Sequence, residues 1–299
     1  MTDTRSTGLP YSVTSGRGDC VVAAEDRRVL KVIVLTGAKG GVGKTTLALN
    51  MAYAFARQGK RTLLLDTDMQ GGIALSLSRG LSQRGGWFEY ATQEVNAQSL
   101  IVSTNQSLLH ILPHGQVVFS ELVAFERAMQ SGHALQRLRD ELGDLYDLCI
   151  VDLQTGLDLR AAGMIDKADF LIAPLAAEPL SARVVPHVLS FVSQCQKAGA
   201  PSLFLGFVLT MWQAADAQST KVVQEIRTRF PESFLFYTII SHDEAFVDAN
   251  ELGMPVGMLR TPPPAVAMLF EQLCVEVERR MQMTTEEPNH EPRYLVDRS

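Results

Sequence analysis

Cysteine is scarce in this 299-residue chain. The four residues, Cys20, Cys149, Cys195 and Cys274, lie far apart and form no C-x-x-C pair. That excludes a disulfide framework or a cysteine zinc motif, and free buried thiols in a reducing compartment are expected. No apolar run reaches the roughly 18 residues needed to span a bilayer. The opening residues show no apolar h-region of a secretory signal, so a cytoplasmic location is expected. Positive charge does not dominate either: 27 basic against 33 acidic side chains leave a formal net charge of −6. A surface coated in basic residues is thereby excluded, while a local patch stays open. No internal repeat or low-complexity block occurs. What remains, 46% hydrophobic and 20% charged residues, suits a globular chain with a sizeable core.

The informative stretch is Lys31 to Thr46, K-V-I-V-L-T-G-A-K-G-G-V-G-K-T-T. Lys31 to Thr36 is an apolar run that reads as a buried parallel strand. Leu47 to Arg57 is rich in helix formers and reads as a helix starting near Lys44. Between them, Gly40, Gly41 and Gly43 let backbone N–H groups close on phosphate oxygens. The start of the helix adds its positive end to the same anion. In such a loop Lys44 reaches the β- and γ-phosphates and the Thr45 hydroxyl holds Mg²⁺. The expected nucleotide-binding residues are Lys39, Gly40, Gly41, Val42, Gly43, Lys44, Thr45 and Thr46.

Where a strict Walker A pattern has glycine, this chain has Ala38, and a second lysine, Lys39, precedes the glycines. A-K-G-G-V-G-K-T-T resembles the deviant Walker A motif of the ParA/MinD family of ATPases. That resemblance implies a nucleotide-sandwich dimer in which Lys39 reaches across to the partner's ATP. Arg61 to Asp66 reads as a second buried strand running into D-T-D-M-Q-G, similar to the family's D-x-D-x-Q-G segment. A pair of aspartates at a strand's carboxyl end lies where a parallel sheet places its ligand. Asp68 is the candidate for orienting the attacking water and a possible metal neighbour, with Asp66 structural. Tyr146 to Asp152 is an apolar strand ending in the Walker B aspartate, and Asp152 with Thr45 is expected to hold the Mg²⁺ shell. The D-L-Q-T-G that begins at Asp152 keeps Gly156 but lacks the two prolines common in the family.

Elsewhere the pattern is plainer. Ser76 to Asn105 is polar and irregular, with Trp87 and Phe88 read as local packing. Ser107 to Leu112 has the composition of a short strand. His110 and His114 are separated by Pro113, which argues against a helical metal pair. Leucine and aromatic spacing predicts one long helix from Glu121 to Leu142. Further strands are expected at Ala168 to Pro174, Leu203 to Thr210 and Phe234 to Ile240, and helices at Ser181 to Lys197 and Asp216 to Phe230. By resemblance Met211, Trp212 and Gln213 fall near the adenine, although ordinary packing explains them equally well. Pro264 to Met281 reads as an amphipathic helix whose polar side carries Glu271, Glu276 and Glu278. Docking onto the protein's own core is expected of it, rather than membrane binding.

Alternating strands and helices after a phosphate loop predict a doubly wound, mainly parallel α/β fold with helices on both faces. Residues 29–283 are expected to form one P-loop domain, between a flexible or partner-binding extension (1–28) and a disordered tail (284–299). The resemblance leans towards ParA-like proteins. It implies a bacterial, Mg²⁺-dependent ATP hydrolase, slow and partner-stimulated, that dimerises with ATP. Such a protein binds nucleoid DNA non-specifically and positions a plasmid, chromosome or protein cargo through a ParB-like adaptor. Lys221, Arg227 and Arg229 are the DNA-contact candidates, with a solvated mixed face as the equal alternative. The competing expectation is a switch like MinD or the flagellar-number regulators, acting on membrane or protein partners. A nitrogenase-iron-protein role would need cluster cysteines near these motifs, and none lies there.

Overall fold

The computed structural model describes residues 29–78 and 80–285. The expectations for residues 1–28 and for the tail beyond 285 lie outside the described residues. In chain order the elements are β1 (Lys31–Leu35), α1 (Lys44–Arg57), β2 (Thr62–Asp66), α2 (Gly72–Leu77), α3 (Trp87–Thr92), β3 (Val102–Ser103), β4 (Leu109–Leu112), α4 (Leu122–Ser131) and α5 (His133–Leu142). There follow β5 (Leu148–Asp152), α6 (Leu159–Asp166), β6 (Phe170–Ala176), α7 (Ser181–Lys197), β7 (Leu203–Thr210), α8 (Ala217–Arg229), α9 (Ala245–Leu252) and α10 (Ala265–Thr285).

The strands form one sheet in the order β3-β4-β2-β5-β1-β6-β7, parallel except for the short edge strand β3. β2, β5 and β6 are buried along their whole length, because helices cover both faces. Successive side chains therefore enter different cores. Val32 and Val34 join Phe125, Leu138, Met164, Val185 and Ile226, from α4 to α8. Ile33 and Leu35 join Leu47, Met51, Phe55, Phe270 and Leu273, from α1 and α10. This is the doubly wound α/β fold expected from the sequence. The chain winds outward from β1 in both directions, so the carboxyl ends of β1, β2, β5 and β6 converge where such sheets bind ligands.

Two elements differ from expectation. The single helix over Glu121 to Leu142 is broken at Gly132, whose φ of 66° is left-handed. A Cβ there would lie 2.3 Å from the Gly163 carbonyl oxygen, and one on Gly163 would lie 2.3 Å from the carbonyls of Met129 and Gln130. The break lets α4 and α6 cross backbone to backbone, while the leucine spacing runs on undisturbed through it. The last strand, Phe234 to Ile240, is also not a strand. It touches β7 only intermittently, through Phe236 N–H to Phe207 O and Ile240 N–H to Leu209 O. Between those points the Glu276 carboxylate on α10 accepts from the N–H groups of Tyr237 and Thr238, the second of which a regular ladder to β7 would use.

Candidate functional site

The loop from Thr36 to Gly43 is built to hold an anion. It leaves β1 after Thr36 N–H bonds the Ile172 carbonyl at 3.0 Å. It turns at Gly41 and Gly43, with φ of 73° and 81°, values that only glycine adopts without strain. Neither a side-chain cap nor an acidic residue occupies the first turn of α1. The helix's free N–H groups and positive end therefore face the loop unneutralised. The loop is fixed from outside: the Thr210 hydroxyl donates to the Val42 carbonyl at 2.9 Å, and Gly156 N–H donates to the Gly37 carbonyl at 3.0 Å. A Cβ on Gly40 would stand 4.0 Å from the Thr155 hydroxyl oxygen, so the D-L-Q-T-G segment flanks the loop directly.

Lys44 opens α1 and is only 7% exposed, with its ammonium 3.7 Å from the Asp152 carboxylate at the end of β5. Both Asp152 oxygens are buried without a hydrogen-bond partner. Burial pushes this carboxyl up from its ordinary range, with Lys44 and the Thr45 hydroxyl opposing and Asp68 adding to the rise. Buried polar atoms without partners are rare. A hydrated divalent cation is the complement that a carboxylate beside a threonine hydroxyl lacks. Thr45 is near the start of α2 too, since a Cβ on Gly72 would be 3.1 Å from its hydroxyl oxygen. Thr46 contributes its carbonyl to the Asn50 side chain, whose own oxygen accepts from Val256 N–H at 2.8 Å.

Asp66 and Asp68 behave differently. Asp66 is fully buried and accepts from the N–H groups of Asp68 and Ile73, both at 3.1 Å. Burial and then the charge of Asp152 push it up to about 8. Asp68 is half-buried on the loop beyond β2 and accepts from Gln70 N–H at 3.0 Å. Lys39 stands half-exposed at the loop's rim, its ammonium bonded to the Glu178 carboxylate.

A cavity of about 110 Å³ opens beside Gly43 and Thr46, lined also by Met211, Ile240, His242, Phe246 and Phe270. Of the three base-contact candidates, only Met211 lines it, in a left-handed conformation with φ of 57°. Trp212 instead packs against the opposite core, and Gln213 N–H bonds Ser219. His242, Phe246 and Phe270 were not among the base-contact candidates, because the chain brings them here from beyond β7. Among the described residues no group of three or more ligating side chains forms a protein-only metal centre. His110 packs edge-on to Tyr146, and the buried His114 packs edge-on to Phe125, its ring pKa lowered by burial. On α8, Arg227 is committed to the carbonyls of Phe236 and Tyr237, whereas Lys221 and Arg229 are exposed.

Known proteins resemble this chain in sequence and fold. A family described as an AAA domain matches residues 30–204. The chromosome-partitioning ATPase Soj of Thermus thermophilus is 28% identical over 263 residues, covering 86% of this chain and 98% of that protein. Among solved structures, Cyanothece McdA(D38A) in complex with ATP superposes with a TM-score of 0.70 at 20% identity, over 83% of this chain and 96% of McdA. The septum site-determining protein MinD of Pyrococcus horikoshii, complexed with Mg-ADP, gives 0.65 at 21% identity, over 84% and 97%.

Proposed function

The chain belongs to the ParA/MinD family of P-loop ATPases, and from that premise we propose that it is a ParA-like positioning ATPase. Two copies close on ATP and Mg²⁺, and the dimer binds nucleoid DNA without sequence preference. Slow hydrolysis, stimulated by a ParB-like or other adaptor, then releases it. The cargo is a plasmid, a chromosome or a protein assembly, and the setting is the bacterial cytoplasm. The observation that carries the nucleotide assignment is the buried Asp152 carboxylate without a hydrogen-bond donor, 3.7 Å from Lys44 at an uncapped helix start.

Within that site the residues divide the work. The loop N–H groups and Lys44 bind and orient the β- and γ-phosphates, and Asp152 with Thr45 would hold the metal's water shell. Magnesium, when bound, supplies charge neutralisation on the phosphates. Asp68 accepts a hydrogen bond from the attacking water and aligns it, and the partner's Lys39 adds positive charge to the transferring group. Exclusion of water falls to the closed dimer. Large apolar side chains stand exposed on the segments that follow the carboxyl ends of β2, β4, β5 and β6: Leu75, Phe119, Leu159 and Leu180. Such a rim around the nucleotide edge supports a second copy as its cover.

The matrix is less directly supported. Lys221 and Arg229 leave α8 a candidate DNA contact, with Arg227 occupied in the fold. A membrane surface is disfavoured. The apolar side of α10, with Phe270, Leu273, Cys274 and Val277, is buried against α1, and no helix among the described residues is long and apolar enough to cross a bilayer. Co-sedimentation with random-sequence DNA and with anionic liposomes, under ATP, ADP or no nucleotide, tests the assignment. The expected result is ATP-dependent DNA binding that persists in Asp68→Ala, vanishes in Lys39→Ala and Lys44→Ala, and weakens steeply with salt. Absence of DNA binding at low salt in every nucleotide state would overturn the nucleoid-riding model.

A further inference from the structure

Lys39 and Glu178 are separated by 139 positions, and only the fold brings them together. Glu178 sits on the turn between β6 and α7, and that turn is fixed. Ala177 N–H donates to the Thr210 carbonyl at 2.8 Å, Glu178 N–H to the Ala176 carbonyl at 2.7 Å, and Ser181 N–H to the Glu178 carbonyl at 2.9 Å. The Ser181 hydroxyl adds a bond to the Ala176 carbonyl. The carboxylate is thus presented from a rigid turn. Lys39, Ser181 and Val184 line the same small cleft, so the lysine lies along its own subunit's α7. Both side chains remain solvent-accessible, 39% and 46% exposed. Exposed ion pairs of this kind are weak and separable, unsuited to supporting the fold but suited to a contact that must open.

We propose that Glu178 is a positioning residue for Lys39, holding it in cis in the nucleotide-free subunit so that opening of this ion pair accompanies ATP-dependent dimerisation. The inference rests on the trans role of Lys39 in the proposed function. One ammonium cannot be committed to its own β6–α7 turn and to a partner's phosphates together. Leu180, two residues beyond Glu178, belongs to the apolar rim that a second copy would cover. Closure therefore dehydrates the turn just as it takes the lysine away. An unpaired carboxylate left at a closing interface opposes closure, so both effects make Glu178 a brake on the dimer.

The test compares the wild-type chain with Glu178→Gln and Glu178→Asp in two measurements. The first is acetylation of Lys39 by acetic anhydride without nucleotide, read by mass spectrometry against Lys221. Glu178→Gln is expected to raise Lys39 labelling by about two- to fivefold, the range an exposed ion pair allows, with Glu178→Asp near wild type. The second is dimerisation by analytical ultracentrifugation in an Asp68→Ala background with ATP. With one pair opened per subunit, Glu178→Gln should tighten the dimer by about two- to tenfold at low salt, and less at high salt. Unchanged Lys39 labelling, or weaker dimerisation in Glu178→Gln, overturns the latch. A wild-type chain that labels as expected but never dimerises with ATP overturns instead the trans reading beneath it.

Discussion

The carboxyl ends of β2 and β5 lie side by side, with Asp66 and Asp152 paired in register and both fully buried. The two positions are alike in residue type, depth and neighbouring strand, yet their hydrogen bonding is opposite. Asp66 spends both oxygens on backbone donors of the loop that follows it, from Asp68 and Ile73. It fastens that loop and the start of α2 to the sheet. Neither Asp152 oxygen has a hydrogen-bond partner, and the Lys44 ammonium at 3.7 Å and the Thr45 hydroxyl stand nearby. One carboxylate is consumed by the fold and the other is left for a ligand. Two aspartates ending adjacent strands are thus told apart by their donors, information that neither burial nor motif spacing contains.

Substitutions at these two positions should therefore separate stability from chemistry. Asp152→Asn should reduce ATP hydrolysis by about 100-fold or more, through lost metal positioning and charge stabilisation. Its melting temperature should change little, because the relief of a buried carboxyl without donors offsets the counter-charge that the buried Lys44 ammonium loses. Asp66→Ala should do the reverse in kind, lowering unfolding free energy by about 2–4 kcal/mol as two N–H groups lose their acceptor. Phosphate release and calorimetry on both variants check this. A destabilised Asp152→Asn beside a fully stable Asp66→Ala would invert the assignment.

The pair also predicts a pH dependence. The Asp66 carboxyl is raised to about 8 in the folded chain, by burial first and then by Asp152. Once unfolded, it releases its proton near pH 4. Between those values the folded state binds more protons than the unfolded one, so stability falls as pH rises, by about 1.4 kcal/mol per unit at most. The fall levels off above about pH 8. Chemical denaturation of the nucleotide-free chain from pH 5 to 8 should show this slope, and Asp66→Asn should flatten it. Saturating Mg-ATP should reduce it only in part, since a cation at Asp152 offsets the second cause of the rise and leaves burial in place.

Much of the frame around these tips was legible in the sequence because buried parallel strands read as unbroken apolar runs. Leu203 to Thr210 and Ser181 to Lys197 match β7 and α7 residue for residue. The glycine loop was legible because its left-handed turns leave little choice of residue. Contacts that depend on topology were not. Gly132 breaks a helix for the sake of a crossing with Gly163, whose closeness no spacing reveals. Trp87 and Phe88 are buried, as their reading as local packing expects, but the helix that carries them with Tyr90 was not legible, because six residues are too few to show a period. Glu276 interrupts an expected strand from a distant helix. Glu178 and His242 reach the rim of the glycine loop from segments with no phosphate-binding signal.

The smallest predicted effect is the one that sharpens the comparison most. Asp68 is two residues beyond Asp66 and is intermediate in every respect: half-buried, with one backbone donor, Gln70 N–H, at 3.0 Å. An asparagine keeps the oxygen that accepts this bond and removes only the charge. Asp68→Asn should therefore change unfolding free energy by less than about 0.5 kcal/mol, as surface substitutions usually do. Removing that charge also relieves a neighbour, because Asp68 contributes to the raised carboxyl of Asp152. Metal-free Asp68→Asn should then be at least as stable as the wild type at pH 7, while Asp66→Ala is clearly weaker. Equal losses in both variants would mean that the two aspartates hold the loop jointly. Donor count would then no longer separate a carboxylate used by the fold from one left for chemistry.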